Sequence, residues 1–161
     1  MTTLLLISVL IAVLYVGTTI YIHKELPASI SHMVFNLPRK YQFLWTLFIW
    51  AIAFGTCPAL FDAMDGSMFQ FVGFLFIASL AFIGTLPLIH NDPNTAHSVL
   101  AVAAGVLSQL CVLIISPYWL LLWFALLYFV FAPIPKWLEG KGIFVLELFC
   151  YTTLILAILI H

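Results

Sequence analysis

VLAVAAGVLSQLCVLIISPYWLLLWFALLYFVFA, from Val99 to Ala132, is the stretch that decides the fold. More than 30 residues pass here without a charged side chain. As one helix they would extend about 50 Å at ~1.5 Å per residue. That is too long for a hydrocarbon layer of about 30 Å. Ser116-Pro117 falls near the middle. Proline lacks the N–H that a helix interior needs and crowds the preceding turn. The stretch therefore predicts two short helices, 99–115 and 118–132, with a sharp turn at Pro117. One tilted and kinked helix is the rival reading, and it would give five crossings instead of six.

The rest of the chain follows the same pattern. Uncharged or nearly uncharged apolar runs cover 4–22, 41–61, 69–88 and 143–160, the last with Glu147 inside it. A crossing helix needs ~20 residues, ~17 at the short end. The expected fold class is all-α: a polytopic membrane protein with a bundle of six transmembrane helices, forming one domain over 1–161. Composition agrees. The 161 residues are 65% hydrophobic and only 7% charged, with net charge −1. Eleven charged side chains cannot cover a soluble domain of this size, and a disordered chain would need a polar excess. The near-zero charge removes any general argument for a nucleic-acid partner. Barrel strands alternate apolar and polar residues, and these runs do not. The first run has no basic leader and no small-residue cleavage site, so it reads as a helix and not as a cleavable signal.

All five basic residues fall in two loops: Lys24, Arg39 and Lys40 after helix 1, Lys136 and Lys141 before helix 6. With six spans these loops share a side. The positive-inside rule then puts loops 1, 3 and 5 in the cytoplasm and both termini outside, as in a bacterial inner-membrane protein. Five spans would split the basic loops across the membrane. Tyr41, Trp45, Trp119 and Trp137 lie near predicted helix ends and suit an interfacial aromatic belt.

In loop 1, Ser29 to Phe35 predicts a short interfacial helix with Ile30, Met33 and Val34 towards lipid. Asp92-Pro93 is a helix-start signal, putting His97 one turn inside helix 4. Ala101, Ala104, Gly105 and Ser108 lie at four-residue spacings that let helices approach closely in lipid. They predict a packing face within the bundle, with a homo-oligomer face as the alternative. Cys57, Cys111 and Cys150 all fall inside spans, where apolar packing is the default.

Few residues can carry chemistry. Glu147 lies about five residues into helix 6, ~7 Å below its boundary. An acid there is costly unless it faces the bundle, a wet cavity or a helix N-terminus. It is the leading candidate for a ligand or proton site, with His97, His90 and Gln109 as neighbours. His90, Asp92 and His97 are also suitable zinc ligands, although His-x-Asp-x4-His matches no zinc signature. Gln109 and Ser108, mid-helix, suit interhelical hydrogen bonding or the lining of a polar path. No Walker loop, nucleophile elbow or His-Glu-x-x-His is present, so these motifs name no enzyme.

Leu26-Pro27-Ala28-Ser29-Ile30-Ser31, Phe82-Ile83-Gly84-Thr85-Leu86-Pro87 and His97-Ser98-Val99-Leu100-Ala101 carry a resemblance. Together with an acid in helix 6, they resemble small six-helix membrane proteins of gut Bacteroidetes and their phages. They are more distantly similar to the Frag/DRAM/Sfk group. His32 stands where that group's loop has an acid. The resemblance implies six spans and a membrane-organising or regulatory role, and supplies no catalytic residues. The expected function is a non-enzymatic integral membrane protein that binds membrane lipid or a small ligand and modulates a membrane process. The alternatives are a membrane-embedded metal-dependent hydrolase using His90, Asp92 and His97 with zinc, and an accessory subunit of a larger membrane complex.

Overall fold

A continuous apolar run can satisfy its own backbone N–H and C=O groups as an α-helix, and each of the runs does so. The computed structural model describes residues 2–89, 94–131 and 139–161. Among them there is no strand. Helices α1 (Thr2–His23), α2 (Gln42–Ala63), α3 (Gln70–Ile89), α4 (Asn94–Ile115) and α6 (Gly142–Leu159) are long and apolar enough to cross a membrane. The sixth, α5 (Leu122–Phe131), is shorter. Three 3-10 segments complete the described elements: η1 (Ser31–Asn36), η2 (Arg39–Tyr41) and η3 (Pro117–Leu121).

The break at Ser116-Pro117 is where the sequence puts it. Ser116 is extended (φ −160°, ψ 98°), and Pro117 opens the next element, where its missing N–H is not needed. The expected α-helix over 118–132 is corrected in form: its first turn is η3, and only Leu122–Phe131 is α-helical. Pro58 and Pro87, by contrast, sit inside α2 and α3, which continue through them.

α1 packs on α2, α2 on α3, α3 on α4, and α4 on α6. Two of these contacts are backbone-close. A Cβ on Gly55 of α2 would lie 2.8 Å from Ser8 Cβ of α1, and one on Gly84 of α3 would lie 3.1 Å from Ile49 Cβ of α2. The absent side chains let the helices approach, the main route to packing when lipid removes the hydrophobic drive. Across α2 and α3, Thr46 Oγ1 donates to the Gly84 carbonyl at 2.6 Å and Trp50 Nε1 to the Ala81 carbonyl at 3.1 Å. Outward faces stay apolar and exposed, as at Leu10, Val13, Leu47, Phe74 and Val102. Trp45 departs from the expected belt: it is fully buried, packed against Tyr15 and Phe48. Trp137 lies outside the described residues.

α4 and α6 run parallel. Gln109 in the middle of α4 bonds to Cys150 on α6. Loop 1 touches both His97 near the start of α4 and Phe144 near the start of α6. A chain that leaves α4 at Ile115 must therefore return to the opposite end before Gly142, and η3 and α5 begin that return. The described basic residues Lys24, Arg39, Lys40 and Lys141 consequently lie at one end of the bundle, here called the basic end. Lys136 lies outside the described residues.

Candidate functional site

Loop 1 carries the expected short helix, as the 3-10 segment η1, but turned inward. Met33 and Val34, expected to face lipid, are buried at 1% and 0% exposure. Ile30 is half-buried. The reason is at the far end of the chain. The carboxylate of Glu147 on α6 accepts hydrogen bonds from the backbone N–H of Ile30 and, at 3.4 Å, from that of Ser31. These are free N–H groups at the start of η1, where no side chain of its own N-cap residue Ile30 caps it. The first turn of any helix leaves such donors and favours negative charge. In return, the Ala28 carbonyl accepts from the N–H of Phe144 at 3.1 Å, one of the orphan donors of α6. Each element thus caps the other. The acid inside the apolar run serves a helix N-terminus, but that helix is η1 and not its own.

The same loop segment reaches α4. Phe35 meets the His97 ring edge-on, with centroids 5.9 Å apart. His97 is 1% exposed. The expected neighbours Glu147 and His97 thus flank one piece of loop 1, at Ile30–Ser31 and at Phe35. His90 and Asp92, the other members of the expected zinc and proton cluster, lie outside the described residues. Among the described residues no three His, Cys, Asp or Glu side chains gather as a metal site.

Gln109 joins three helices. Its Nε2 donates to the Cys150 carbonyl at 3.1 Å and to Ser108 Oγ at 3.1 Å, and its Oε1 accepts from Trp123 Nε1 of α5 at 3.0 Å. Thr153 Oγ1 lies 3.2 and 3.3 Å from the two amide atoms. Trp123 also packs edge-on to Phe149, with centroids 5.3 Å apart. These contacts tie the short α5 to α4 and α6. Of the small residues on α4, Ala104 and Ser108 are buried in packing. All four of Ala101, Ala104, Gly105 and Ser108 border an open space; Ala101 also packs on the core, whereas a Cβ on Gly105 would meet nothing within 4 Å.

That space is a cleft of about 1030 Å³ between α1, α4 and α6, floored by α2 and α3. Its walls include Val9, Val13 and Val16 of α1, Ile52 of α2, Phe76 of α3 and Ile155 of α6. Ile30, Ser31 and Glu147 close its basic end. Val13, Val106 and Leu146 line it while staying exposed, so it opens sideways from the bundle. Along α6 the lining runs from Ile143 to Leu156, roughly 20 Å at helical rise. Tyr151 also lines it, its hydroxyl facing those of Ser8 and Thr56 without reaching hydrogen-bond geometry. The part played by loop 1 could not be read from helix spacing, because it arises from contacts more than 100 residues apart in sequence.

No family model, curated protein or solved structure matches the chain. Its function is therefore argued from this geometry.

Proposed function

We propose that the protein is an integral membrane protein whose cleft binds a lipid or a small apolar ligand, and that it modulates a membrane process by holding that molecule. The observation that carries this reading is the cleft itself: about 1030 Å³, walled by aliphatic and aromatic side chains, with Glu147 and Ser31 at one end. Ligand sites are typically concave, mostly apolar and marked by few polar groups. An opening beside exposed apolar residues suits a ligand that arrives from the hydrocarbon phase and not from water. The helices cross the membrane six times in this reading. The basic end, with Lys24, Arg39, Lys40 and Lys141, lies in the cytoplasm, following the positive-inside rule. Glu147 then acts by fixing the loop that closes the cleft.

Two measurements test the proposal. Native mass spectrometry of gently solubilised protein should show a bound lipid or small molecule at one per chain. A chain that is consistently empty overturns the binding reading. Single cysteines at Lys24 and Asp65, introduced into a Cys57, Cys111 and Cys150 triple-serine background, should label from opposite sides of the membrane. Labelling from one side overturns the topology.

A further inference from the structure

We infer that the cleft holds the hydrocarbon chain of a membrane lipid and does not read the lipid's head: the chain is held by shape, and the head stays outside. This rests on the reading of the cleft as a ligand site. It adds the part of the ligand that is recognised and the residues that set the fit.

The lack of a polar anchor carries the inference. Among the described residues, every polar side chain that lines the cleft is engaged within the protein or turned away from the space. At the basic end the Glu147 carboxylate accepts from the N–H groups of Ile30 and Ser31, and the Ser31 hydroxyl is paired with that of Ser29 at 3.2 Å. At mid-depth the Gln109 amide is bonded to the Cys150 carbonyl and to Trp123. The Ser108 hydroxyl donates to the Gly105 carbonyl at 2.7 Å, and that of Thr152 to the Leu148 carbonyl at 2.8 Å. Two lining groups lack a partner, and neither is offered to a ligand. The Tyr151 hydroxyl is buried and faces Ser8 and Thr56, so the ring is what lines the space. Trp45 lines it too but is fully buried, indole N–H included. The Cys150 thiol behaves as a small apolar group. A ligand group that needs hydrogen bonds would find none here and would be disfavoured. A hydrocarbon chain needs none.

The surroundings supply that chain. The cleft opens beside the exposed side chains of Val13, Val106 and Leu146, so lipid hydrocarbon reaches it first. Left empty, its volume of about 1030 Å³ would deprive the lining atoms of dispersion contacts on one side. The lining runs from Ile143 to Leu156 on α6, roughly 20 Å, and one leaflet of hydrocarbon is about 15 Å deep. An extended lipid chain has this scale. It gains no hydrophobic energy on leaving one apolar medium for another, so fit provides the selectivity. Gly17 and Gly105 both line the cleft, and a Cβ on either would meet nothing within 4 Å. A large side chain at either position would fill the bed in which the chain lies.

The test is native mass spectrometry of wild type, Gly105→Phe and Gly17→Phe. Each is offered phosphatidylethanolamine and phosphatidylglycerol with identical tails, and hexadecane serves as a headless competitor. Wild type should hold one lipid per chain and retain the two heads equally. Hexadecane should displace both. Gly105→Phe and Gly17→Phe should each lose both lipids alike, by about tenfold or more, the scale of a misfitting group in an apolar pocket. Gly105→Leu and Gly17→Leu, smaller plugs, stand in for a phenylalanine variant that does not fold. Retention of one head over the other by about tenfold or more overturns the inference and leaves the cleft standing as a lipid site, as does a lipid that hexadecane leaves in place. Lipid held equally by wild type and both variants lies elsewhere on the surface and overturns the inference. A lipid-free particle of two chains sealed along the cleft also overturns it. Wild type that binds neither lipid while carrying a polar small molecule overturns the chain as ligand but not the cleft as a site. An empty wild type overturns the underlying reading.

Discussion

Replacing Glu147 by alanine should release loop 1 without unfolding the helices around it. The side chain accepts from Ile30 N–H and, at 3.4 Å, from Ser31 N–H. A hydrogen bond to an ionised group contributes about 1.5–3 kcal/mol, and a buried donor left without its acceptor costs a further ~1–3 kcal/mol. The Ser31 bond is near the distance limit and adds little. The segment should therefore lose about 3 kcal/mol of protection against local opening, a factor of roughly a hundred in the opening equilibrium. Amide hydrogen exchange followed by mass spectrometry reads this directly. Peptides covering 28–36 should exchange roughly a hundredfold faster in Glu147→Ala. The Phe144 amide should follow, since its acceptor is the Ala28 carbonyl. Peptides from α2 and α3, joined through Thr46 and Trp50, should not change. Glu147→Gln keeps a carbonyl acceptor and loses only the charge, so it should speed exchange by about fivefold, for ~1 kcal/mol. Exchange over 28–36 within about twofold of wild type in the alanine variant would refute the reasoning, because the loop would then be held by something other than this carboxylate.

Four further substitutions probe the packing, each read by thermal unfolding in detergent. Tyr15→Phe should stabilise by about 1 kcal/mol, since the Tyr15 hydroxyl is buried without a hydrogen-bond partner while the ring stacks on Phe48 at 3.9 Å; a lowered midpoint contradicts this. Gln109→Leu should cost about 2 kcal/mol, from interhelical bonds to Cys150, Thr153 and Trp123 at ~0.6 kcal/mol each, and should raise the exposure of Trp123 to a water-soluble quencher. Gly55→Val should cost about 1–3 kcal/mol by overpacking, because even a Cβ there would lie 2.8 Å from Ser8, whereas Gly105→Ala, with open space beside it, should be neutral or stabilise by up to ~1 kcal/mol. Equal effects of the two glycine substitutions would contradict the difference in packing.

The sequence by itself determined the helices. Their positions follow from uninterrupted apolar runs, because a backbone surrounded by apolar side chains must bond to itself. The break at Ser116-Pro117 was equally legible, since proline's missing N–H is a local covalent fact. So was the gathering of Lys24, Arg39, Lys40 and Lys141 at one end, which needs only an even count of passes. Glu147 could be singled out because a charge inside an apolar run requires a partner.

The partner itself was decided only by the tertiary structure. Glu147 meets the backbone of Ile30 and Ser31, residues without a charge to announce them, and backbone donors look the same at every position of a sequence. Met33, Val34 and Trp45 are buried and not at a lipid surface for a related reason. When helices and lipid are both apolar, composition does not distinguish the face that packs against protein from the face that packs against hydrocarbon. The same ambiguity hid the cleft. Ala101, Ala104, Gly105 and Ser108 all border the cleft, yet Ala104 and Ser108 are buried while a Cβ on Gly105 would meet nothing within 4 Å. Small residues permit close approach, but only the arrangement of the neighbouring helices decides whether another backbone or an empty volume takes the place they leave.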